Sequence, residues 1–265
     1  MTESPERTRT AVILAGGKGT RLRPYTTSFP KPLMPVGDQP ILEILVGQLA
    51  RAGYNRLFFG VGHLAELIRA YFGDGARWDV QIEYAYEDEP LGTAGPLRAL
   101  ADRLPPHFLV CNGDILSDVD YGRFLDDHIT GDPPRLLTIS THRRVLHSEY
   151  GVLECAADGL VQDYIEKPTY PLCVSEGIYA FSKSALDWIP PDQRIDFPDL
   201  VMRLLRSGEP VATSEHTGLW LDIGRPDDYE KAQELRAQHP EVFASERADD
   251  ARAGRPRTEE IALRH

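Results

Sequence analysis

The sequence has few cysteines, no long hydrophobic run and no histidine array. Its three cysteines, Cys111, Cys155 and Cys173, include no C-x-x-C pair, which favours a reducing compartment. No apolar segment approaches the roughly 20 residues that span a bilayer, and no charged-then-apolar leader opens the chain. The eight histidines form no H-x-H or H-E-x-x-H pattern, so the sequence gives no support for a zinc site. We therefore expect a cytoplasmic protein without a membrane partner.

Positive charge is also in short supply. The chain has 29 Lys and Arg residues against 41 Asp and Glu residues, a formal net charge of −12. Phosphate backbones attract basic surfaces, so this balance argues against a nucleic-acid partner. A phosphorylated substrate would need local Arg and Lys, together with a divalent metal, to reverse the field inside its pocket. At 265 residues, the chain is long enough for a substantial core without disulfides.

Short apolar runs alternate with helical patterns along the first half of the chain. The strands predicted there are 11–15, 57–61, 81–86 and 107–112, and the helices are 41–52, 64–72 and 94–104. This alternation predicts an α/β fold, a parallel sheet with helices on both faces. The pattern becomes more mixed after residue 136, with strands at 136–141, 151–155, 160–165 and 174–181 and helices at 183–188 and 197–207.

The two ends of the chain differ from the middle. Residues 1–9 show no structural pattern, and residues 238–265 are polar and rich in charge, so they cannot bury enough apolar area to order themselves. We expect flexible tails on either side of one folded domain at 10–237. The sequence does not decide whether that domain forms a homo-oligomer.

A glycine-rich loop followed by two cations dominates the N-terminal region. The loop reads Leu14-Ala15-Gly16-Gly17-Lys18-Gly19-Thr20-Arg21-Leu22, and Phe29-Pro30-Lys31-Pro32 comes shortly after it. Glycines let backbone N–H groups point at an anion without interference from Cβ, and Arg21 and Lys31 add positive charge. The loop is not a P-loop, because no Gly-Lys-Ser/Thr follows at the required spacing, and it lacks the third glycine of the dinucleotide fingerprint. We interpret it as a triphosphate cradle.

Two aspartates follow short apolar strands. Asp114 ends the segment Cys111-Asn112-Gly113-Asp114, and Asp222 lies within Trp220-Leu221-Asp222-Ile223-Gly224. Ligands gather beyond the carboxyl ends of strands in α/β sheets, and carboxylates suit a hard divalent cation. Two carboxylates can hold a Mg²⁺ ion between two phosphates. The alternatives are that Asp114 only forms a turn and that Asp222 caps a helix starting near Pro226.

With two further segments, these motifs resemble those of the sugar-nucleotide pyrophosphorylases, the nucleotidyltransferases of sugar 1-phosphates. The added segments are Glu87-Asp88-Glu89-Pro90-Leu91-Gly92-Thr93-Ala94-Gly95 and Ile165-Glu166-Lys167-Pro168. All five motifs occur in the family order, and the match runs from about Thr10 to Ala237. The resemblance implies a Rossmann-like, mixed and mainly parallel sheet, Mg²⁺ dependence, and transfer of a nucleoside monophosphate from a triphosphate to a sugar 1-phosphate with release of pyrophosphate.

The residues that match can then be given roles. A sugar phosphate is largely dianionic at neutral pH, because its second pKa is roughly 6, so catalysis becomes positioning and charge neutralisation. The candidate catalytic residues are Arg21, Lys31, Asp114, Lys167 and Asp222, with Asp114 and Asp222 as metal ligands. The candidate nucleotide-binding residues are Leu14, Ala15, Gly16, Gly17, Gly19, Thr20, Arg21, Lys31, Glu87, Gly92, Thr93, Asn112 and Gly113. The candidate sugar-phosphate-binding residues are Gly151, Glu166, Lys167, Ser175 and Glu176.

The identity of the base depends on Glu87. By its offset from Gly92, Glu87 stands where relatives of this family place the residue that reads the base edge. A carboxylate can accept hydrogen bonds from both guanine N1–H and the exocyclic amine, whereas thymine and uracil offer one such donor. We therefore predict GTP, and the motif wording is most like the mannose- and heptose-1-phosphate guanylyltransferases. An ordinary solvated acidic loop, or a thymidylyl- or uridylyltransferase, is the alternative.

Two features leave other functions open. Mannose-type relatives usually have Asn-Ala-Gly where this chain has Ser175-Glu176-Gly177; Glu176 would bind extra hydroxyls or an amine, or would face away. Asp118-Val119-Asp120 imitates the metal motif of glycosyltransferases, although a helix N-terminal cap is the favoured interpretation. A nucleotide-binding regulatory subunit without turnover is a third class, but it would be expected to lack Asp114, Lys167 or Asp222.

Overall fold

The computed structural model describes residues 8–87, 91–191 and 193–243. The strands are β1 Arg9–Leu14, β2 Pro35–Val36, β3 Gln39–Pro40, β4 Tyr54–Val61, β5 Gln81–Tyr86, β6 His107–Asn112, β7 Ile115–Ser117, β8 Leu137–His147, β9 Val152–Cys155, β10 Val161–Ile165, β11 Thr169–Ser182, β12 Val211–Glu215 and β13 Trp220–Asp222. The α-helices are α1 Ile41–Arg51, α2 Ala65–Phe72, α3 Gly95–Ala99, α4 Tyr121–Ile129, α5 Phe197–Arg206, α6 Pro226–Gln238 and α7 Pro240–Phe243. Short 3-10 helices cover Thr20–Leu22, Tyr25–Thr27, Lys31–Leu33, Ala76–Trp78, Ala101–Arg103 and Lys183–Trp188.

A seven-stranded sheet forms the centre of the fold, in the order β12-β8-β11-β6-β1-β4-β5. Strand β11 runs antiparallel to both of its neighbours, while the other neighbouring pairs are parallel. The middle residues of the central strands are apolar because both faces of the sheet are covered, and residues 11–13 of β1 are fully buried. The predicted mixed and mainly parallel sheet is confirmed.

Helices pack on both faces of this sheet, as predicted. On one face, α1, α2 and α4 contribute Leu45, Ile68 and Phe124 to a core with the sheet. On the other face, α3 and α5 contribute Leu97 and Leu200 to a second core. The predicted helix at 94–104 is split into α3 and the 3-10 turn at Ala101–Arg103.

The strand order changes direction at β1. The chain runs from β1 outward through β4 to β5 and then returns to place β6 on the other side of β1. Leu14, at the end of β1, therefore pairs with Gly60 on one side and with Asn112 on the other. Such a switch point opens a crevice at the carboxyl ends of the strands, where α/β proteins bind ligands.

Both predicted tails begin in the wrong place. Arg9 belongs to β1, where it pairs with Tyr54, and its guanidinium donates to Asp126 at 2.8 Å. At the other end, α7 follows α6 and buries Phe243 completely in a third core cluster. One strand residue and one buried aromatic side chain thus extend the folded part of the chain. Residues 1–7 and 244–265 lie outside the described residues.

No helix among the described residues combines the length and the apolar character needed to span a membrane.

Candidate active site

A cavity of about 420 Å³ opens at the switch point between β1 and β6. The structure brings nearly the whole predicted nucleotide set to its wall. The lining includes Leu14, Ala15, Gly16, Gly17, Gly19, Thr20, Arg21, Lys31, Glu87, Gly92, Thr93 and Asn112, together with Asp114. Gly113 lies directly behind the wall, and its N–H donates to the Leu14 carbonyl at 2.9 Å.

The glycine loop keeps its shape through Gly19. This residue has φ +58°, a left-handed conformation, and its carbonyl accepts a hydrogen bond from the Thr26 hydroxyl at 2.7 Å. A Cβ at this position would lie 3.1 Å from the Thr26 methyl group and 3.2 Å from Lys31 Cβ. Glycine is needed there because both the backbone conformation and the close packing of Lys31 disfavour a side chain.

Lys31 lies between the two predicted metal ligands. Its side chain is largely buried, and Nζ is 2.5 Å from Asp114 Oδ2 and 3.9 Å from Asp222 Oδ1. Asp222 reaches this position because β13 pairs with β7 and places it opposite Ile115. One ammonium group therefore lies near two carboxylates; Lys31 and Asp114 line the cavity, while Asp222 is not part of its lining.

The surroundings of Asp222 change its pKa. Burial raises the pKa of Asp222, the nearby Asp114 charge raises it further, and Lys31 and Arg21 lower it. Two oxygen-donor groups that repel each other and attract a cation fit a hard divalent ion such as Mg²⁺. Asp222 does not cap α6, because Arg225 is its N-cap residue and makes no side-chain cap.

The loop around Gly92 and Thr93 is held by the start of α5. The Thr93 N–H donates to Asp196 Oδ1 at 2.9 Å, and the Thr93 hydroxyl accepts from the Phe197 N–H at 2.9 Å. Glu87 also faces the cavity, and its Oε2 accepts from the Leu91 N–H at 3.1 Å. Burial raises the pKa of Glu87, against the lowering effect of that hydrogen bond.

Known proteins share this architecture and these motifs. A family model described as nucleotidyl transferase matches residues 10–239. The chain belongs to the nucleotidyl transferase family. The sequence resemblance to the sugar-1-phosphate nucleotidyltransferase family is therefore confirmed.

Two curated relatives illustrate the range of this family. A UTP–glucose-1-phosphate uridylyltransferase from Synechocystis is 35% identical over 84% of the chain. A mannose-1-phosphate guanylyltransferase from Mycobacterium tuberculosis is 33% identical over 83% of the chain. The chain spans 62% of the length of each of these two relatives.

A solved structure gives the same result at the level of the fold. HddC from Yersinia pseudotuberculosis, crystallised with GMP-PN, has a TM-score of 0.66 and 28% identity to this chain. That likeness covers 86% of this chain and 99% of HddC.

The residues predicted to bind the sugar phosphate do not line the cavity. Gly151, Glu166 and Lys167 belong to an exposed arm, defined here as residues 144–173, which contains β9 and β10. Within the arm, the Tyr164 hydroxyl donates to Glu166 Oε2 at 2.7 Å, and a Cβ on Gly151 would collide with that hydroxyl. Lys167 has φ +44°, an unusual conformation for a lysine. The arm thus brings these three residues together, apart from the nucleotide wall.

The two predicted sugar ligands of β11 do not share an environment. The Ser175 hydroxyl donates to the Tyr179 hydroxyl at 3.2 Å. The Glu176 side chain is fully buried and contacts Ser140 and His216. Consecutive strand residues point to opposite faces. The buried position of Glu176 favours the alternative that it faces away, and its sugar-binding role stays a prediction.

The Asp-x-Asp segment is structural. Asp120 is the N-cap residue of α4 and accepts from the Arg123 N–H at 2.9 Å, as predicted. Asp118 accepts from the Leu219 N–H at 2.7 Å and contacts His216. Neither carboxylate lines the cavity, so the glycosyltransferase interpretation loses its metal motif.

Sequence reasoning missed five residues of the cavity wall. They are Pro32, Gly60, Arg194, Asp196 and Gly224. Asp196 had a local signal, because it precedes Phe197-Pro198-Asp199 in a capping box that starts α5. That signal marks a helix start but does not show that Asp196 also holds Thr93, a contact over 103 residues.

Proposed function

We propose that this chain is a sugar-1-phosphate nucleotidyltransferase that uses GTP and Mg²⁺ in the cytoplasm and releases pyrophosphate. The observation that carries the proposal is the position of Lys31 between Asp114 and Asp222, at the mouth of a glycine-walled cavity. Such a site combines fixed cations, backbone turns open to an anion and two oxygen donors, which are the components of phosphoryl transfer.

The reaction needs positioned charge more than acid–base chemistry. A sugar phosphate has a second pKa of roughly 6, so its oxygen is already a nucleophile at neutral pH. It attacks the α-phosphorus in line; a new phosphorus–oxygen bond forms as the bond to the pyrophosphate oxygen breaks. Arg21 and Lys31 neutralise the negative charge that builds on the departing pyrophosphate. Asp114 and Asp222 would hold Mg²⁺, which when bound polarises phosphate oxygens.

Glu87 is the proposed reader of the base. It lines the cavity, and its Oε1 lies close to Gly16 while Oε2 accepts from the Leu91 N–H. A carboxylate held this way can accept from the two adjacent N–H donors of guanine. The GMP-PN complex of HddC and the mycobacterial guanylyltransferase support a guanine nucleotide. The Synechocystis uridylyltransferase supports the second candidate, a uridylyl- or thymidylyltransferase.

The proposed sugar 1-phosphate is mannose, heptose or a related sugar. Glu166 would accept hydrogen bonds from sugar hydroxyls, Lys167 would hold the phosphate, and Gly151 and Ser175 would complete the subsite. Glu176 gave the reason to doubt mannose 1-phosphate, and its buried position removes that reason. Mannose 1-phosphate is therefore restored as a candidate beside heptose 1-phosphate.

Pyrophosphate release with Mg²⁺ tests the proposal. The assay crosses GTP, ATP, UTP, dTTP and CTP with mannose, glucose, manno-heptose and aminosugar 1-phosphates, and uses Asp114→Asn as the blank. We expect signal in the GTP row, with the column naming the sugar. Pyrophosphate release with UTP or dTTP would overturn the base assignment and keep the reaction class. No pyrophosphate release with any pair of substrates would contradict the reaction class.

A further inference from the structure

A second cluster of ionisable side chains lies outside the cavity. His142 of β8, Glu176 of β11 and His216, which follows β12, offer ligand atoms that all lie within 4.8 Å of one another. His216 Nδ1 is 2.7 Å and His142 Nδ1 is 3.5 Å from the same oxygen, Glu176 Oε1. The two histidines are 74 residues apart, so no spacing in the sequence could indicate them.

The carboxyl group of Glu176 is buried beside the two histidines. Its side chain is 0% exposed, and among the described residues its ion-pair partners are the two histidines, with no Lys or Arg. A buried charge without a partner is unfavourable. The group can be compensated in three ways: by a proton on the carboxyl itself, by a proton on a histidine, or by a metal ion bound between the three side chains.

The groups around the cluster are arranged as they are around bound metals. His216 uses its other nitrogen, Nε2, to contact Asp118 Oδ1 at 2.8 Å. A metal-binding histidine almost always gives its second N–H to a carboxylate or carbonyl, which fixes the tautomer and the ring. Ser140 donates to Glu176 Oε2, and the Trp220 Nε1–H donates to the Glu176 carbonyl at 3.0 Å. The side chains of His216 and Glu176, two of the three that would bind the ion, are thus held in place.

A buried hydroxyl beside the cluster lacks a partner. Tyr121 is almost fully buried, and its hydroxyl makes no hydrogen bond within the described part of the chain. Burial raises the pKa of Tyr121 strongly, and the charges of Glu176 and Asp118 are among the further causes. A buried polar atom without a partner indicates a missing water or ion.

We propose that His142, Glu176 and His216 bind one divalent transition-metal ion, for which Zn²⁺ is the best match. Two imidazole nitrogens and one carboxylate oxygen are a common zinc donor set. Ligand atoms at about 2.0–2.1 Å from zinc lie about 3.3 Å apart in a tetrahedral site. The two histidine–Glu176 separations, 2.7 and 3.5 Å, lie on either side of that value, and all three ligand atoms are within 4.8 Å of one another. The site differs from the Asp114–Asp222 pair in place and in donor chemistry.

Metal binding at this site involves a loss of protons. Here the His142 Nδ1–H donates to the His216 carbonyl at 3.0 Å, so this nitrogen has to give up its proton to reach the metal. Zinc binding therefore releases protons to the buffer. The bound ion would join β8, β11 and the segment that leads through Trp220 to Asp222. Three protein ligands leave a fourth position for water, and binding of the ion does not depend on the proposed reaction.

Metal content is measured on the untagged 265-residue chain in excess Mg²⁺, which is added to fill the proposed site at Asp114 and Asp222. Metal-free protein is prepared with a chelator and titrated with Zn²⁺, with inductively coupled plasma mass spectrometry for stoichiometry and thermal unfolding for stability. We expect one Zn²⁺ per chain, a higher melting temperature with Zn²⁺, and proton release. His216→Asn and His142→Asn should each weaken Zn²⁺ binding by at least about tenfold, and Asp118→Asn by about 10- to 100-fold.

His107→Asn is the matched control. His107 is a half-buried histidine that contacts Ser182 and lies outside the cluster, so its loss should leave Zn²⁺ affinity unchanged. A second measurement uses the unmutated protein, so it does not depend on whether a variant folds. Co²⁺ replaces Zn²⁺ as a spectroscopic probe, and we expect the intense visible bands of tetrahedral Co²⁺. Absence of stoichiometric Zn²⁺, or equal affinity in His216→Asn, would overturn the proposal. If the protein takes up no metal but loses stability at high pH in a way that depends on these histidines, a protonated histidine pairs with Glu176 and the metal proposal is wrong.

Discussion

Lys31 concentrates the chemistry of the candidate site in one side chain. It is nearly buried, packs against the Gly19 turn, and contacts both Asp114 and Asp222. The chain has a net charge of −12, but Lys31, Arg21 and Arg194 line the cavity and would attract the proposed triphosphate. At low dielectric such local charges outweigh distant ones, because surface charges are screened by water and salt.

Asp114→Asn should leave the fold intact and lower turnover by roughly two orders of magnitude or more. The amide keeps the shape of the side chain but removes the negative charge that faces Lys31 and the proposed metal. Steady-state pyrophosphate release gives the rate, and circular dichroism checks the fold. Asp127→Asn is the control, since Asp127 is exposed and pairs with Arg123 at 3.6 Å away from the cavity. A near-normal rate for Asp114→Asn would remove Asp114 from the metal site.

Glu87→Gln should reduce the preference for GTP over the other triphosphates by about tenfold, because one bidentate contact is worth about 1–3 kcal/mol. Gln keeps an oxygen that accepts from the Leu91 N–H, so the loop is retained while one acceptor becomes a donor. Competition kinetics with GTP and UTP measure the ratio. An unchanged preference would eliminate the base-reading role.

Glycines at the element boundaries allow neighbouring loops to touch. Gly92 has φ +81°, and a Cβ there would lie 2.5 Å from the Ile195 carbonyl oxygen. The same contact zone contains the bond from the Thr93 N–H to Asp196. The shape of this part of the cavity wall therefore depends on Gly92, because only glycine lets the loop before α3 pack this closely against the loop before α5.

Gly92→Ala should destabilise the fold by more than the roughly 1–2 kcal/mol that a left-handed backbone costs an L-residue, because a backbone atom has to move as well. Gly159→Ala is the matched control, since Gly159 has φ +86° and a Cβ added there would meet no heavy atom within 4 Å. Urea unfolding measures both. Equal losses in the two variants would show that the contact with Ile195 relaxes freely.

A shared carboxylate joins the edge of the sheet to the 3-10 turn at Ala101–Arg103. Glu83 of β5 accepts from Arg56 Nε at 2.9 Å and also contacts Arg103. Burial acts to raise the pKa of Glu83, but the hydrogen bonds and charges of Arg56 and Arg103 outweigh it and hold that pKa below its usual value. The ionised form is therefore favoured in the folded protein.

Stability from Glu83 should be present at neutral pH and lost as pH falls through its lowered pKa. An acid with a lower pKa in the folded state binds protons more tightly when unfolded, so acid favours unfolding. Glu83→Gln should cost about 1 kcal/mol or less at neutral pH, since solvent screens the partly exposed pairs, and should flatten the acid limb. Urea unfolding over a pH series tests this; parallel curves for the two proteins would contradict it.

Three core clusters hold the molecule together, and the third joins distant parts of the chain. It contains Leu22 after the glycine loop, Ile223 next to Asp222, and Phe243 of α7. The C-terminal helices thereby support the two segments that carry Arg21 and Asp222. Residues beyond the predicted domain boundary contribute to the frame of the candidate site.

Phe243→Ala should lower the free energy of unfolding by about 3–5 kcal/mol, the usual cost of removing a buried phenylalanine side chain. Leu205→Ala is the control: its side chain is 52% exposed, so its loss should change stability by only about 0.5 kcal/mol. Chemical denaturation of both variants provides the measurement. A small effect of Phe243→Ala would mean that α7 is dispensable for the fold.

Local patterns alone determined the central elements of the fold and most of the wall of the cavity. Apolar runs bounded by glycines marked β1, β4 and β6, because strands buried on both faces need an apolar middle. Glycines and cations marked the loop after β1 that lines the cavity, since few other residues combine turn geometry with charge. Asp114 followed from its place just after β6.

Tertiary structure alone decided which distant residues meet. Asp196 reaches Thr93, Phe243 enters the core beside Leu22, and the histidines at 142 and 216 converge on Glu176. Strand order and register fix these contacts, and neither is encoded in a local pattern. The direction of Glu176 shows the limit most clearly: in a strand with an irregular register between Ser175 and Tyr179, which face a side chain takes depends on the partners it finds across the sheet.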